Sequence, residues 1–151
     1  MRTQIWLIAI TLLLSLGCRN APPPPPYRPI ADVKAIMANI MEPAADAYWD
    51  AVGTVIDIDG EHEIAPQTQE DWDTVRNNGY VFTEAGNLLM MPTRAKDNGE
   101  WMELAQALID SGQKAIRAAE ARDTAAVFNA GAEVYEACTN CHTKYSPEIV
   151  R

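Results

Sequence analysis

The residues best equipped for chemistry stand near the end of the chain, in Cys138-Thr139-Asn140-Cys141-His142. This C-x-x-C-H spacing is the signature of covalent c-type haem attachment. On a helix, positions i, i+3 and i+4 share one face, so two sulfurs and one imidazole meet a single flat partner. Cys138 and Cys141 are then the thioether positions for one haem c per chain, and His142 reaches the iron as an axial ligand. Two other chemistries use parts of the motif. A redox disulfide of the thioredoxin type normally opens a helix after a strand, whereas this motif closes the chain. A structural zinc site wants about four Cys or His ligands, and outside the motif only Cys18 and His62 are left.

Cys18 belongs to the other end. Residues 1–4 carry the positive charge of Arg2, residues 5–16 are an apolar run, and Ser15-Leu16-Gly17-Cys18 closes it with small residues. The run is too short to span a bilayer. Its end resembles the bacterial lipobox, with Ser15 where leucine is usual. That resemblance implies a lipoprotein signal peptide over residues 1–17, cleavage after Gly17, and a lipidated Cys18 as the first mature residue. Without lipidation, the reading is an ordinary exported protein with one free thiol. Arg19 stands where inner-membrane lipoproteins tend to carry aspartate, which by the same resemblance places the anchor in the outer membrane, facing the periplasm. Prolines 22–26 form a stiff spacer rising about 3.1 Å per residue. Residues 18–29 are thus a lipidated cysteine and Pro-rich linker, and residues 30–151 form one haem-binding domain of ordinary size. Export agrees with haem, because c-type haem is attached outside the cytoplasmic membrane in bacteria.

The formal net charge of −9 argues against a nucleic-acid partner. It suits redox protein partners with a basic docking surface, through a steering that salt weakens. No Ser-His-Asp, paired-carboxylate or nucleotide-binding constellation is visible, so the chain is not read as an enzyme.

The elements that must position the motif read as helices, with one exception. Ile36, Met37, Ile40, Met41, Ala44, Ala45, Tyr48, Trp49 and Val52 recur at three- and four-residue steps and mark one face of a first helix. Pro43 predicts a kink or break around Glu42. Residues 54–64, with Val55, Ile56 and Ile58 before Asp59-Gly60 and Ile64 after, give a small β-hairpin signal. His62, among Glu61 and Glu63, is better read as an exposed hairpin histidine than as a second iron ligand. Thr68 with Glu70 and Asp71 starts a second helix striped by Trp72, Val75, Gly79, Phe82, Gly86 and Leu89, and Pro92 stops it. Asp97-Asn98-Gly99-Glu100 reads as a capping box for a third helix, striped from Trp101 to Ala119. Asp123 caps a fourth, whose stripe of Val127, Gly131, Val134, Cys138 and Cys141 leads into the haem motif. The expected fold is all-α, an antiparallel up-down-up-down four-helix bundle with a small β-hairpin insertion between helices 1 and 2.

A four-helix bundle with C-x-x-C-H near the end of its last helix, Tyr145 just beyond it and a Met-rich first helix resembles the class II c-type cytochromes, the cytochrome c-prime family. The resemblance implies that the sixth coordination position of the iron decides function. In low-spin members a first-helix methionine fills it and the protein carries electrons. In high-spin members it is open behind an apolar wall and binds nitric oxide or carbon monoxide. Here the first helix offers Met37, preceded by the basic Lys34 as the family's distal residue is, with Met41 as reserve. Both also suit plain core packing, the expected role of Met90, Met91 and Met102. The gas-binding members commonly carry Arg or Lys after the tyrosine, where this chain has Ser146-Pro147, and this favours electron transfer over gas scavenging. Family members are often homodimers, which makes a second copy a candidate partner.

Overall fold

The computed structural model describes residues 27–149, so the leader, Cys18 and prolines 22–26 lie outside the described residues. The first helix, α1, is assembled from Val33–Ile36, a π-helical turn Met37–Met41, and Glu42–Trp49. Asp32 starts it, its carboxylate accepting the Ala35 N–H at 2.7 Å. Of the kink or break expected around Glu42, no break forms: the helix runs through, and the irregularity is the π turn that ends just before Glu42. Pro43 has no N–H to offer the Asn39 carbonyl. The Glu42 N–H reaches back five residues to the Met37 carbonyl, and the Asn39 side chain donates to the Ala35 carbonyl at 2.9 Å. The extra residue shifts the phase of the apolar stripe. Ile40, expected on the buried face, is 37% exposed, while Met41, Ala44, Ala45 and Tyr48 are buried.

Strands β1 (Gly53–Asp57) and β2 (Gly60–Ile64) form the expected antiparallel hairpin, with Gly53 opposite Ile64 and Asp57 opposite Gly60. The turn works because Gly60 takes a positive φ and Asp57 accepts the Asp59 N–H at 2.8 Å. Its isoleucines stay out of the core: Ile58 is fully exposed.

Helix α2 (Gln69–Leu89) begins at the expected cap Thr68, which closes a capping box in which Asp71 N–H donates to Thr68 Oγ1 at 3.2 Å and Thr68 N–H to Asp71 Oδ2 at 2.8 Å. Helix α3 (Glu100–Glu120) starts differently from expectation. No capping box forms there, because the N-cap is Gly99 and Glu100 is the first helical residue rather than the third, its carboxylate pairing with Lys144. Asp97 alone serves the helix start, accepting the N–H of Gly99 at 2.8 Å and of Trp101 at 3.1 Å. Helix α4 (Thr124–Tyr145) is capped by Asp123, which accepts the Ala126 N–H at 2.9 Å.

The protein is mostly helical, and its core is a continuous cluster drawn from all four helices. Helix α2 packs along α3, α3 along α4, and α1 against α2 and α4. Glycines set the closest approach: a Cβ on Gly112 would stand 2.9 Å from the Thr83 nitrogen, and one on Gly86 2.9 Å from the Ala105 carbonyl oxygen. Among the described residues no helix is long and apolar enough to cross a membrane.

Candidate functional site

Cys138, Cys141 and His142 occupy the last two turns of α4, each half-buried. The helix supplies the shared face that the spacing requires, and both thiols are free. Together with Met37 and Met41 of α1 they line one apolar cavity of ≈ 20 Å³, walled by Leu89 of α2 and by Trp101, Leu104, Ala105 and Leu108 of α3. Beside it lies a cleft of ≈ 500 Å³ that shares Met37, Trp101, Cys141 and His142 and adds Val33, Lys34, Lys96 and Tyr145. That volume falls in the range of about 300–1,000 Å³ usual for ligand and cofactor sites. Met37 borders both spaces, whereas Met41 is 5% exposed and faces the inner one alone. The π turn is what carries both methionines, and such turns are frequent at functional sites.

The thiols sit in surroundings that disfavour thiolate. Burial, and secondarily the neighbouring Cys141, push the Cys138 thiol up to about 11, and burial raises Cys141. A thioredoxin-type redox pair needs the opposite, a thiolate stabilised near neutrality. A soft, apolar chamber with two thiols, one imidazole and facing thioethers matches haem c in its donor set. Among the described residues no group of three or more His, Cys, Asp or Glu side chains could hold a metal ion by itself.

Comparison with known proteins returned no matching family model, curated protein or solved structure.

The site's supports are specific. Trp101, 3% exposed, donates its indole N–H to the Leu89 carbonyl at 2.8 Å and so joins α3 to the end of α2. The Tyr145 ring meets Trp101 edge-on, with centroids 4.9 Å apart, and its hydroxyl donates to Asp97. That bond pushes the Tyr145 hydroxyl up to about 12 and, with the N–H groups of Trp101 and Gly99, holds Asp97 below the usual carboxylate range. Lys144 pairs with Glu100 next to it. The start of α3 thus grips the turn that follows His142.

His62 lies elsewhere, exposed on β2 and 3.2 Å from Asp57. Met90 and Met102 pack against the core, and Met91 accepts an N–H from Arg94. The sequence reading missed Asp97 as a partner of Tyr145 and missed Arg94 altogether. Asp97 did carry a signal, as a helix-start residue, whereas Arg94 sits in a connection with no pattern to mark it.

Proposed function

We propose that this chain is a lipid-anchored c-type cytochrome that faces the periplasm and carries single electrons. Cys138 and Cys141 would hold haem c through thioethers, and His142 and Met37 would ligate its iron. The observation that carries the reading is the convergence of the C-x-x-C-H face of α4 and the methionine face of α1 on one apolar cavity. When bound, the haem supplies a one-electron iron centre. Every other part belongs to the chain. His142 would supply an imidazole and Met37 a thioether to the iron, and a neutral thioether favours the ferrous state. Leu89, Leu104, Leu108 and Trp101 keep water from the cavity. Met37 is preferred over Met41 because it reaches the larger cleft beside His142.

The architecture belongs to the same proposal, an antiparallel up-down-up-down bundle of the class II cytochrome type. The contact of Gly79 with Ile116 and of Gly86 with Ala105 supports it, since position falls along α3 as it rises along α2. Helix α4 then delivers its last turn to the end of the bundle where α1 begins.

Extraction with acid acetone tests the reading. Two thioethers should keep the haem on the protein and raise its mass by one haem; haem released free into the solvent would sink the proposal.

A further inference from the structure

Arg94 is 8% exposed, yet its guanidinium has no carboxylate partner among the described residues. Burying a cation without a counter-ion is costly unless its donors are satisfied. Three acceptors from two separated stretches of chain engage its Nε and Nη1 donors. Nε donates to the Ala31 carbonyl at 3.0 Å, while Nη1 donates to the Leu88 carbonyl at 3.3 Å and to Met91 Sδ at 2.8 Å. Ala31 directly precedes Asp32, the cap of α1. Leu88 belongs to the end of α2 and Met91 to the connection just after it, and the neighbouring Leu89 walls the cavity. The planar fork therefore ties the start of the methionine-bearing helix to the wall of the site.

The other half of α1 has its own tie, the Trp49 indole N–H donating to the Gly131 carbonyl of α4 at 3.0 Å. Between the two fixed points lies the π turn Met37–Met41. A π turn is the softest part of such a helix, because its hydrogen bonds depart from the regular pattern. Ile36 and Met41 anchor the turn in the core, and the stretch that leads into Met37 is held by Arg94.

We propose that Arg94 is the positioning residue for the sixth coordination position. By bridging Ala31 to Leu88 and Met91, it fixes Met37 over the His142 face and so decides the competition between thioether and gas. This rests on Met37 ligation, and the experiment separates the two claims.

Holoprotein carrying Arg94→Gln is compared with wild type and with Trp49→Phe. The readouts are the ferric sulfur-to-iron charge-transfer band, the rate of carbon monoxide binding to ferrous protein, and hydrogen exchange of the amides of residues 36–41. Arg94→Gln should weaken the band, speed carbon monoxide binding about ten-fold and speed local exchange about ten-fold, the loss expected from charge-assisted hydrogen bonds. Trp49→Phe should leave the band and the gas rate as in wild type. If Arg94→Gln does not fold, Arg94→Lys serves, since one ammonium cannot span both carbonyls as the fork does, and the same three changes should follow. An Arg94 variant that merely melts earlier, with band, gas rate and local exchange unchanged, overturns the proposal. Wild type without the band overturns Met37 ligation separately, and the exchange data then still decide whether Arg94 holds α1.

Discussion

At the residue scale, the two methionines of the π turn divide the work unequally. Met37 touches both the inner cavity and the outer cleft, and Met41 is sealed in the core. Met37→Leu should therefore open the iron and speed carbon monoxide binding by about ten-fold or more, the factor for each ~1.4 kcal/mol of lost competition. Met41→Leu, a swap of similar volume, should cost under about 1.5 kcal/mol of stability and leave gas binding unchanged. Flash photolysis of the carbon monoxide adduct, with thermal melts, checks both. Asp97 makes a different prediction. Its folded pKa lies below the ordinary carboxylate range, chiefly because Tyr145 donates to it. A depressed carboxylate contributes stability above its unfolded pKa and loses it as pH falls through the folded value. Melting temperature should accordingly drop on acidification below about pH 4, and Tyr145→Phe should flatten that drop. An Asp97 titration identical in wild type and Tyr145→Phe, followed by NMR, would show that the bond does not form in solution. At the other end of the scale Tyr145, pushed up to about 12, loses its contribution as pH rises above about 10 toward that value.

At the element scale, the contact between α2 and α3 depends on missing side chains. A methyl group on Gly112 would meet the Thr83 backbone nitrogen at 2.9 Å and the Gly79 carbonyl oxygen at 3.1 Å. Backbone cannot step aside as a side-chain tip can. Gly112→Ala should consequently destabilise by about 1–3 kcal/mol, despite the higher helix propensity of alanine. Urea denaturation measures it, and a neutral or stabilising result would mean that the helices can separate without loss. In α1, the periodicity of three and four was readable and so was the disturbance from Pro43, but the π turn that results was not. Proline forbids one hydrogen bond, and which neighbouring turn absorbs the loss depends on what the helix packs against. The same holds at the start of α3, where the helix begins at Glu100, too late for the expected capping box, and Glu100 pairs with Lys144, a residue far away in sequence.

At the scale of the whole molecule, the proposed anchor at Cys18 would hold an acidic chain to the membrane through residues 18–29. If Cys18 is acylated, Cys18→Ser should turn a membrane-bound product into one that is soluble or uncleaved, with the cytochrome spectrum retained. Membrane fractionation with and without detergent checks this, and an unchanged detergent requirement would point to another anchor. Helix content is not expected to change, because the described core draws on no residue before Ala31.

Local chemistry was written in the sequence. The C-x-x-C-H spacing names a shared helical face, Thr68 and Asp123 name helix starts, and Asp59-Gly60 names a turn, since each depends on residues within a few positions of one another. The site itself was only half readable. Met37 could be nominated from its helix, but its meeting with Cys141 and His142 across a cavity required α1 and α4 to pack together. The Arg94 bridge to Ala31, the Tyr145 bond to Asp97 and the Trp101 tie to Leu89 had no local signature. They join stretches of chain whose separation in space is set by side-chain volumes and glycine contacts throughout the core, a property that only the tertiary structure decides.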